Sequence, residues 1–273
     1  MEENFKNLSQ ADRREQIIQC LKEQGDVRVS ELSELFSTSE VTIRSDLAEL
    51  EKNGILQRVH GGAIQTLKNY YALDASQRLN ARKEEKIQIA NLVKDLIQDG
   101  DNIIMNSGST NYFIAQELSQ KNNICIITNS IQIAEVFSAH KRHQVVLLGG
   151  IFNDQYLFTY GDDAIKQLCK YRVNKTILSA DGVDIKNGIT TYHNEVANLC
   201  RLMMKKASLS IVAADHTKLG HTAFSQVENL DVIDYLVTDQ KSENLDLSVF
   251  DELEMEIITP NHRDIKKVKK QSD

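Results

Sequence analysis

The chain is poor in the features that mark secreted, metal-binding or membrane proteins. Its four cysteines, Cys20, Cys125, Cys169 and Cys200, are widely separated, with no CxxC pair and no neighbouring histidine at zinc-like spacing. Disulfide frameworks and structural zinc sites both need such spacing, so four reduced, mostly buried thiols are expected, with no metal ligand and no cofactor. No apolar run approaches the roughly 20 residues of a membrane-spanning helix, and the first twenty residues are polar and charged. A cytoplasmic chain away from any membrane is the expectation. Internal repeats and low-complexity stretches are missing as well, so a packed core and not a repeat array or disordered tract is expected.

A basic excess is also missing. The formal charge is −7, and residues 1–70 hold 9 Lys and Arg against 12 Asp and Glu. That balance argues against non-specific attraction to nucleic acid. Specific binding would have to rest on a local cluster such as Arg44, Lys52, Arg58 and His60, which can neutralise phosphates and release counterions. With 273 residues, 41% of them hydrophobic, the chain can fill two domains with a sizeable core.

What is present begins with two short apolar stripes at helical spacing: Leu32, Leu35 and Phe36, then Ile43, Leu47 and Leu50. Ser30 and Ser39 each stand just before a stripe, where a side-chain oxygen can accept an unpaired first-turn amide, so both are expected N-caps. Only Ser37, Thr38 and Ser39 separate the stripes. This is the spacing of a helix that braces a second helix for entry into a DNA major groove. At about 100° per residue, Val41, Arg44, Ser45 and Ala48 lie opposite the second stripe, on a face read as free of acidic residues. Arg44 can fork onto guanine or clamp a phosphate, Ser45 can bond either, and Val41 or Ala48 can lie against a thymine methyl. After Gly54, Ile55, Gln57 and Val59 alternate with Leu56, Arg58 and His60 before the Gly61-Gly62 turn. A strand pair is predicted, with Arg58 and His60 projecting together towards the DNA backbone.

The runs VTIRSDL, LxxLxxxGIL and RVHGGA resemble the DeoR family of bacterial transcriptional regulators almost position by position. The resemblance implies a winged helix-turn-helix that binds double-stranded operator DNA. Candidate contacts are Ser39, Val41, Thr42, Arg44 and Ser45 on the helix and its cap, with Arg58 and His60 on the wing. The family usually carries a second arginine where this chain has Ser45, which alters one phosphate or base contact.

From Thr66 to about Asn80 no single period holds, and residues 66–80 read as a linker between a DNA-binding domain at 10–65 and a larger domain at 81–260. Ile87, Ala90, Val93 and Ile97 form a helical stripe. Short apolar runs then follow at Ile103 to Met105, Ile124 to Ile127, Val145 to Leu148, Thr176 to Leu178 and Leu209 to Ala213, separated by helix-like segments. That rhythm is an α/β sheet with parallel strands. Residues 261–273 form a short tail with Lys266, Lys267, Lys269 and Lys270, read as a solvated end.

Ligands of such sheets gather at the carboxyl ends of the strands. There the chain places Asn106-Ser107-Gly108-Ser109-Thr110, Thr128-Asn129-Ser130, Gly149-Gly150 and Ala180-Asp181-Gly182, then Glu195 and the run Ala214-Asp215-His216-Thr217-Lys218. A small-residue turn at a helix N-terminus exposes amides and the positive end of the helix dipole, which favours a phosphate. Asp181, Glu195 and Lys218 can together surround a polyol, although each singly also fits a cap or surface ion pair.

From Arg78 to Asp239 the landmarks NSGST, TNS, LGG, SADG, NEVA and ADHTKLG resemble the C-terminal sensor domain of the same family, related in fold to ribose-5-phosphate isomerase. The resemblance implies a sugar-phosphate effector, its phosphate held by the loop from Ser107 to Thr110. Asn106 stands where the family usually has Asp, and Ser179 where it usually has Gly; the first removes a carboxylate from the pocket. A repressor of a sugar-metabolism operon, active as a homodimer or homotetramer and not an enzyme, is the leading expectation. The alternatives are a sugar-phosphate isomerase with a DNA-binding appendage, using Asp181 or Glu195 as base and Lys218 as electrophile, and a regulator whose pocket is purely structural and which acts through protein partners.

Overall fold

The computed structural model describes residues 8–24, 26–59, 61–65, 73–244, 247–250 and 253–261. Two compact units divide the chain, Met1–Lys83 and Glu84–Asp273.

The first unit comprises α1 (Gln10–Gln24), β1 (Asp26–Arg28), α2 (Val29–Leu35), α3 (Glu40–Lys52), β2 (Leu56–Val59), β3 (Gly62–Gln65) and α4 (Ala75–Asn80). The strands form an antiparallel sheet in the order β1-β3-β2. Ile17, Leu21, Val27, Leu32, Phe36, Ile43, Leu47, Leu50 and Leu56 make one core, so both helical stripes meet α1 and the sheet. The α3 stripe is fully inward, and Ser39 caps it by accepting the Thr42 amide at 3.2 Å. Below that stripe Asp46 is 0% exposed and takes Arg13 Nε at 2.7 Å and Arg14 Nε at 2.9 Å, tying α3 to α1.

Three local expectations are corrected here. Ser30 lies inside α2, whose N-cap is Arg28 without a side-chain bond; the Val29 amide instead donates to the Gly61 carbonyl at 2.9 Å. Leu35 is 43% exposed. Val29 and Phe36 fall on one side of Leu32 around the helix, whereas Leu35 falls about 60° to the other, off the buried face. Finally, the segment read as a linker contains α4, because Asp74 and Gln77 form a reciprocal capping box: the Gln77 amide reaches Asp74 Oδ1 at 2.8 Å and the Asp74 amide reaches Gln77 Oε1 at 3.1 Å.

The second unit begins with α5 (Lys83–Asp95), which crosses the boundary, and continues through β4 (Asn102–Met105), α6 (Ser109–Leu118), β5 (Cys125–Thr128), α7 (Ile131–Ser138) and β6 (Gln144–Leu147). A hairpin β7 (Ile151–Asn153) and β8 (Phe158–Tyr160) precedes α8 (Asp162–Leu168) and β9 (Val173–Ser179). Then come β10 (Gly182–Asp184), β11 (Gly188–Thr191), α9 (Asn194–Lys205), β12 (Ala207–Ala213), β13 (Ser225–Glu228), β14 (Tyr235–Val237) and β15 (Glu256–Ile258). Seven strands pair in parallel in the order β15-β14-β12-β9-β4-β5-β6. The five apolar runs found in the sequence are its five strands from β6 to β12. A smaller antiparallel sheet, β10-β11-β13, carries the connections after β9.

The α5 stripe is offset from its expected position. Ile87 is 38% exposed, while Ile89, Ala90, Leu92 and Val93 are buried, with Ile97 buried beyond the helix end. Of the cysteines only Cys200 is buried; Cys20 and Cys125 are half-buried and Cys169 is exposed, so the expectation of mostly buried thiols fails. Cys169 is the C-cap residue of α8 and lies exposed. The tail lysines Lys266, Lys267, Lys269 and Lys270 lie outside the described residues.

Candidate functional site

Along α3, Val41 is 74% exposed and Arg44 and Ser45 are exposed, so the face opposite the apolar stripe is open to a partner. Thr42 is half-buried, its hydroxyl 2.9 Å from Ser39 Oγ. That face is not free of acid, contrary to expectation: Glu40, one helical turn before Arg44, places Oε2 2.6 Å from Arg44 Nη2. On the wing, the exposed Arg58 does not project freely. Its Nε lies 2.9 Å from Glu51 Oε2, and its backbone amide donates to Glu51 Oε1 at 2.8 Å. The Arg58 amide, ahead of the guanidinium, holds the Glu51 carboxyl below its ordinary range. Leu56 is buried, Gln57, Arg58 and Val59 are exposed, and Ile55, just ahead of β2, is half-buried against the core. His60 lies outside the described residues.

In the large sheet the chain runs outward from β4 through β5 to β6, then returns to the other side of β4 with β9. The strand order therefore reverses between β4 and β9, and the loops following these two strands flank a topological switch point. Those loops are Asn106–Gly108 and Ala180–Asp181, two of the segments singled out from the sequence. Gly108 is the N-cap of α6, with φ 155° and no side-chain cap, and Ser107, Gly108 and Ser109 are half-buried while Thr110 is buried. A helix start without a side-chain cap leaves its first-turn amides for water or an anion. Only glycine fits at 108, because a Cβ there would collide with the Ser179 side chain.

The polar residues around this loop brace one another. Asn106 is 4% exposed; its Nδ2 donates to the Ser179 carbonyl at 3.0 Å and its Oδ1 accepts the Ser179 amide at 2.8 Å and Asn111 Nδ2 at 2.7 Å. The Ser179 hydroxyl donates to the Ser107 carbonyl at 3.1 Å. Asn129, fully buried, accepts the Ser107 amide at 3.0 Å and donates to the Thr159 carbonyl at 2.9 Å. Thr128 Oγ1 accepts the Ser130 amide at 3.1 Å, and Ser130 Oγ caps α7 through the Ile133 amide at 3.3 Å. The Gly149 amide is held by Gln167 Oε1 at 3.0 Å, and Gly150 passes close to the Tyr160 carbonyl with φ 144°.

The charged candidates are more dispersed. Asp181 accepts the Thr191 hydroxyl at 3.0 Å and the Tyr192 amide at 2.9 Å. Burial, and after it the Asp181 charge, pushes the Cys200 thiol up to about 12. Glu195 sits exposed in the first turn of α9; among the described residues its carboxylate makes no hydrogen bond or ion pair. Lys218 is buried, at the end of a single 3-10 turn that Asp215 caps. Four participants carried no sequence signal: Gln167, Thr159, Asn111 and an aromatic group in which His193 lies 4.6 Å from Tyr156 and 5.8 Å from Phe158 between ring centroids. The Glu40–Arg44 spacing of four was readable as a helical ion pair, whereas Glu51–Arg58 spans a turn and was not.

Among the described residues no group of three His, Cys, Asp or Glu is placed to hold a metal ion, and no helix is long and apolar enough to cross a membrane. Residues 13–67 match the DeoR-like helix-turn-helix domain and residues 81–240 the DeoR C terminal sensor domain. The HTH-type transcriptional repressor GlcR of Bacillus subtilis is 34% identical over 85% of this chain and 90% of its own length. The transcriptional repressor AccR of Agrobacterium fabrum is 27% identical over 93% and 98%. Among solved structures, ribose 5-phosphate isomerase A of Methanocaldococcus jannaschii is 17% identical over 51% of this chain and 55% of its own, with a TM-score of 0.38. With a DNA-reading helix pair, a wing and a parallel-sheet sensor unit, this is a two-domain transcription factor. The chain belongs to the DeoR family of transcriptional regulators.

Proposed function

We propose that the chain is a repressor of a sugar-metabolism operon, released from its operator by a phosphorylated sugar. Support comes first from the uncapped start of α6 at the switch point of the parallel sheet, where Ser107, Ser109 and Thr110 surround open amides. The phosphate is assigned to this loop, and the sugar hydroxyls to the ends of the neighbouring strands, near Asp181 and Lys218. The braced arrangement of Asn106, Asn129 and Ser179 is suited to hold the loop in one geometry. Operator contacts are assigned to Ser39, Val41, Thr42, Arg44 and Ser45, with Arg58 on the wing, and the working form to a homodimer or homotetramer matching a two-fold operator. The reading as a repressor is supported by the two relatives GlcR and AccR, each named a transcriptional repressor.

Release requires the sugar phosphate to bind the DNA-incompetent arrangement more tightly than the competent one; about 100-fold differential affinity corresponds to roughly 3 kcal/mol of coupling. The test has two arms. Footprinting on DNA upstream of the chain's own gene and neighbouring sugar-catabolic genes is expected to show a protected site that Arg44→Ala weakens without abolishing. Calorimetric titration with a panel of pentose and hexose phosphates is expected to find one that binds and removes the footprint. Binding of none would overturn the effector assignment, and turnover of one, lost in Glu195→Gln, would overturn the regulator in favour of an isomerase.

A further inference from the structure

Both arginines of the candidate DNA interface are gripped by one corner only. Arg44 contributes Nη2 alone to Glu40, at 2.6 Å, and Arg58 contributes Nε alone from its guanidinium to Glu51, at 2.9 Å. A guanidinium has five N–H donors in a planar fork, so most donors of each arginine stay available. The pairs are also accessible: Arg44 and Glu40 are 56% and 47% exposed, Arg58 and Glu51 46% and 40%. Glu51 does more than pair, since its second oxygen accepts the Arg58 backbone amide at 2.8 Å and so fastens the wing to the recognition helix.

We infer that Glu40 and Glu51 are positioning residues for DNA reading, each fixing one guanidinium so that its remaining edge meets a base or phosphate in a set direction. The inference rests on α3 and the wing being the DNA-contacting surface. An arginine free to rotate loses side-chain entropy when it docks; one already held loses less, which improves a specific complex by about two- to tenfold per side chain. The same carboxylates repel phosphates on every duplex. Removing one negative charge several ångströms from a phosphate strengthens non-specific binding by about threefold at low salt. The two effects oppose each other on the operator and do not oppose each other on random DNA. Together they make Glu40 and Glu51 determinants of the ratio between specific and non-specific affinity, in a unit whose net charge is already acidic.

The experiment uses the full chain with the footprinted upstream duplex and a mixed-sequence duplex of equal length. Glu40→Gln and Glu51→Gln keep an acceptor oxygen and remove the charge, and Glu40 makes no other described side-chain bond, so that variant tests the role without a packing change. Each variant is expected to bind mixed-sequence DNA about threefold tighter while its preference for the operator falls by about two- to tenfold. In an Arg44→Ala background, Glu40→Gln is expected to leave the preference unchanged, since the role runs through Arg44. An equal rise on both duplexes would make the glutamates mere competitors of DNA and overturn the inference. So would a loss of preference that persists without Arg44. A wild-type chain that protects no site would overturn the DNA-contacting assignment itself, and the positioning roles with it.

Discussion

Asp46 is the perturbation whose effect the structure defines most sharply. Its carboxylate is 0% exposed, and each oxygen takes one guanidinium, Arg13 at 2.7 Å and Arg14 at 2.9 Å, whose side chains are 12% and 26% exposed. Asp46→Ala removes both acceptors and leaves two half-desolvated cations facing a void. Breaking a buried pair in this way costs about 3–5 kcal/mol, and the residual solvent contact of the arginines places the effect near the lower end, about 3 kcal/mol. Asp46→Asn retains one carbonyl acceptor and loses one charge-assisted bond, costing about 1.5–3 kcal/mol. A unit spanning residues 1–83 has a total stability of about 4–12 kcal/mol, so the alanine variant loses a quarter or more of it. The assay is native-state hydrogen exchange by mass spectrometry, with α9 of the second unit as internal reference. Protection in α1 and α3 is expected to fall by the stated amounts while α9 is unchanged, and DNA binding is expected to weaken because α3 is no longer fixed to α1. An Asp46→Ala chain whose α3 protection stays within about 0.5 kcal/mol of wild type would refute the reasoning, since ordinary surface substitutions do no more.

Other outcomes follow from single contacts. Ser39→Ala is expected to cost the first unit about 1 kcal/mol by removing the cap of α3, read as a lower urea midpoint, while Ser30→Ala, inside α2, is expected to move it by a few tenths at most. Gly108→Ala drives a Cβ into the Ser179 side chain at φ 155° and is expected to cost about 1–3 kcal/mol together with sugar-phosphate affinity. Adding Ser179→Gly should return only part of the stability, because the backbone strain remains; a thermal melt in which it returns nothing would show that the contact is not the cause. Burial, then the Lys218 charge, lowers the pKa of His221 below its ordinary 6.5. The unfolded chain therefore binds a proton more readily, so the contribution of neutral His221 is intact above pH 6.5 and declines as pH falls through the lowered value. His221→Gln should flatten the acid limb of the second unit's pH–stability curve, and an unchanged limb would assign it to other groups.

Much of the architecture was legible because it is local. The Ile43, Leu47 and Leu50 period, the Ser39 cap and the five apolar runs of the large sheet depend on neighbours a few residues apart, and all appear where the sequence places them. The failures have local causes too: a strand running straight into α2 replaced the Ser30 cap by the Gly61 carbonyl, and a capping box turned part of the expected linker into α4. The candidate effector site was legible only as a set of polar loops. Nothing in their composition says that Asn106 spends its amide on Ser179, or that Asn129 clasps Ser107, because those partners are 73 and 22 residues distant.

The stretch from Val27 to Ala63 and the strand-end loops, taken as sequence alone, determined a DNA-reading unit followed by a parallel α/β domain, since helical period, cap chemistry and alternating apolar runs are properties of short segments. Strand order is not such a property. Only the folded chain set β9 beside β4 and so brought the Ser107 loop against Ser179, and only it buried Asp46 between two arginines and laid Glu51 against Arg58. Which charge meets which depends on how distant segments pack, and that decides whether an arginine on the reading face is loose or held.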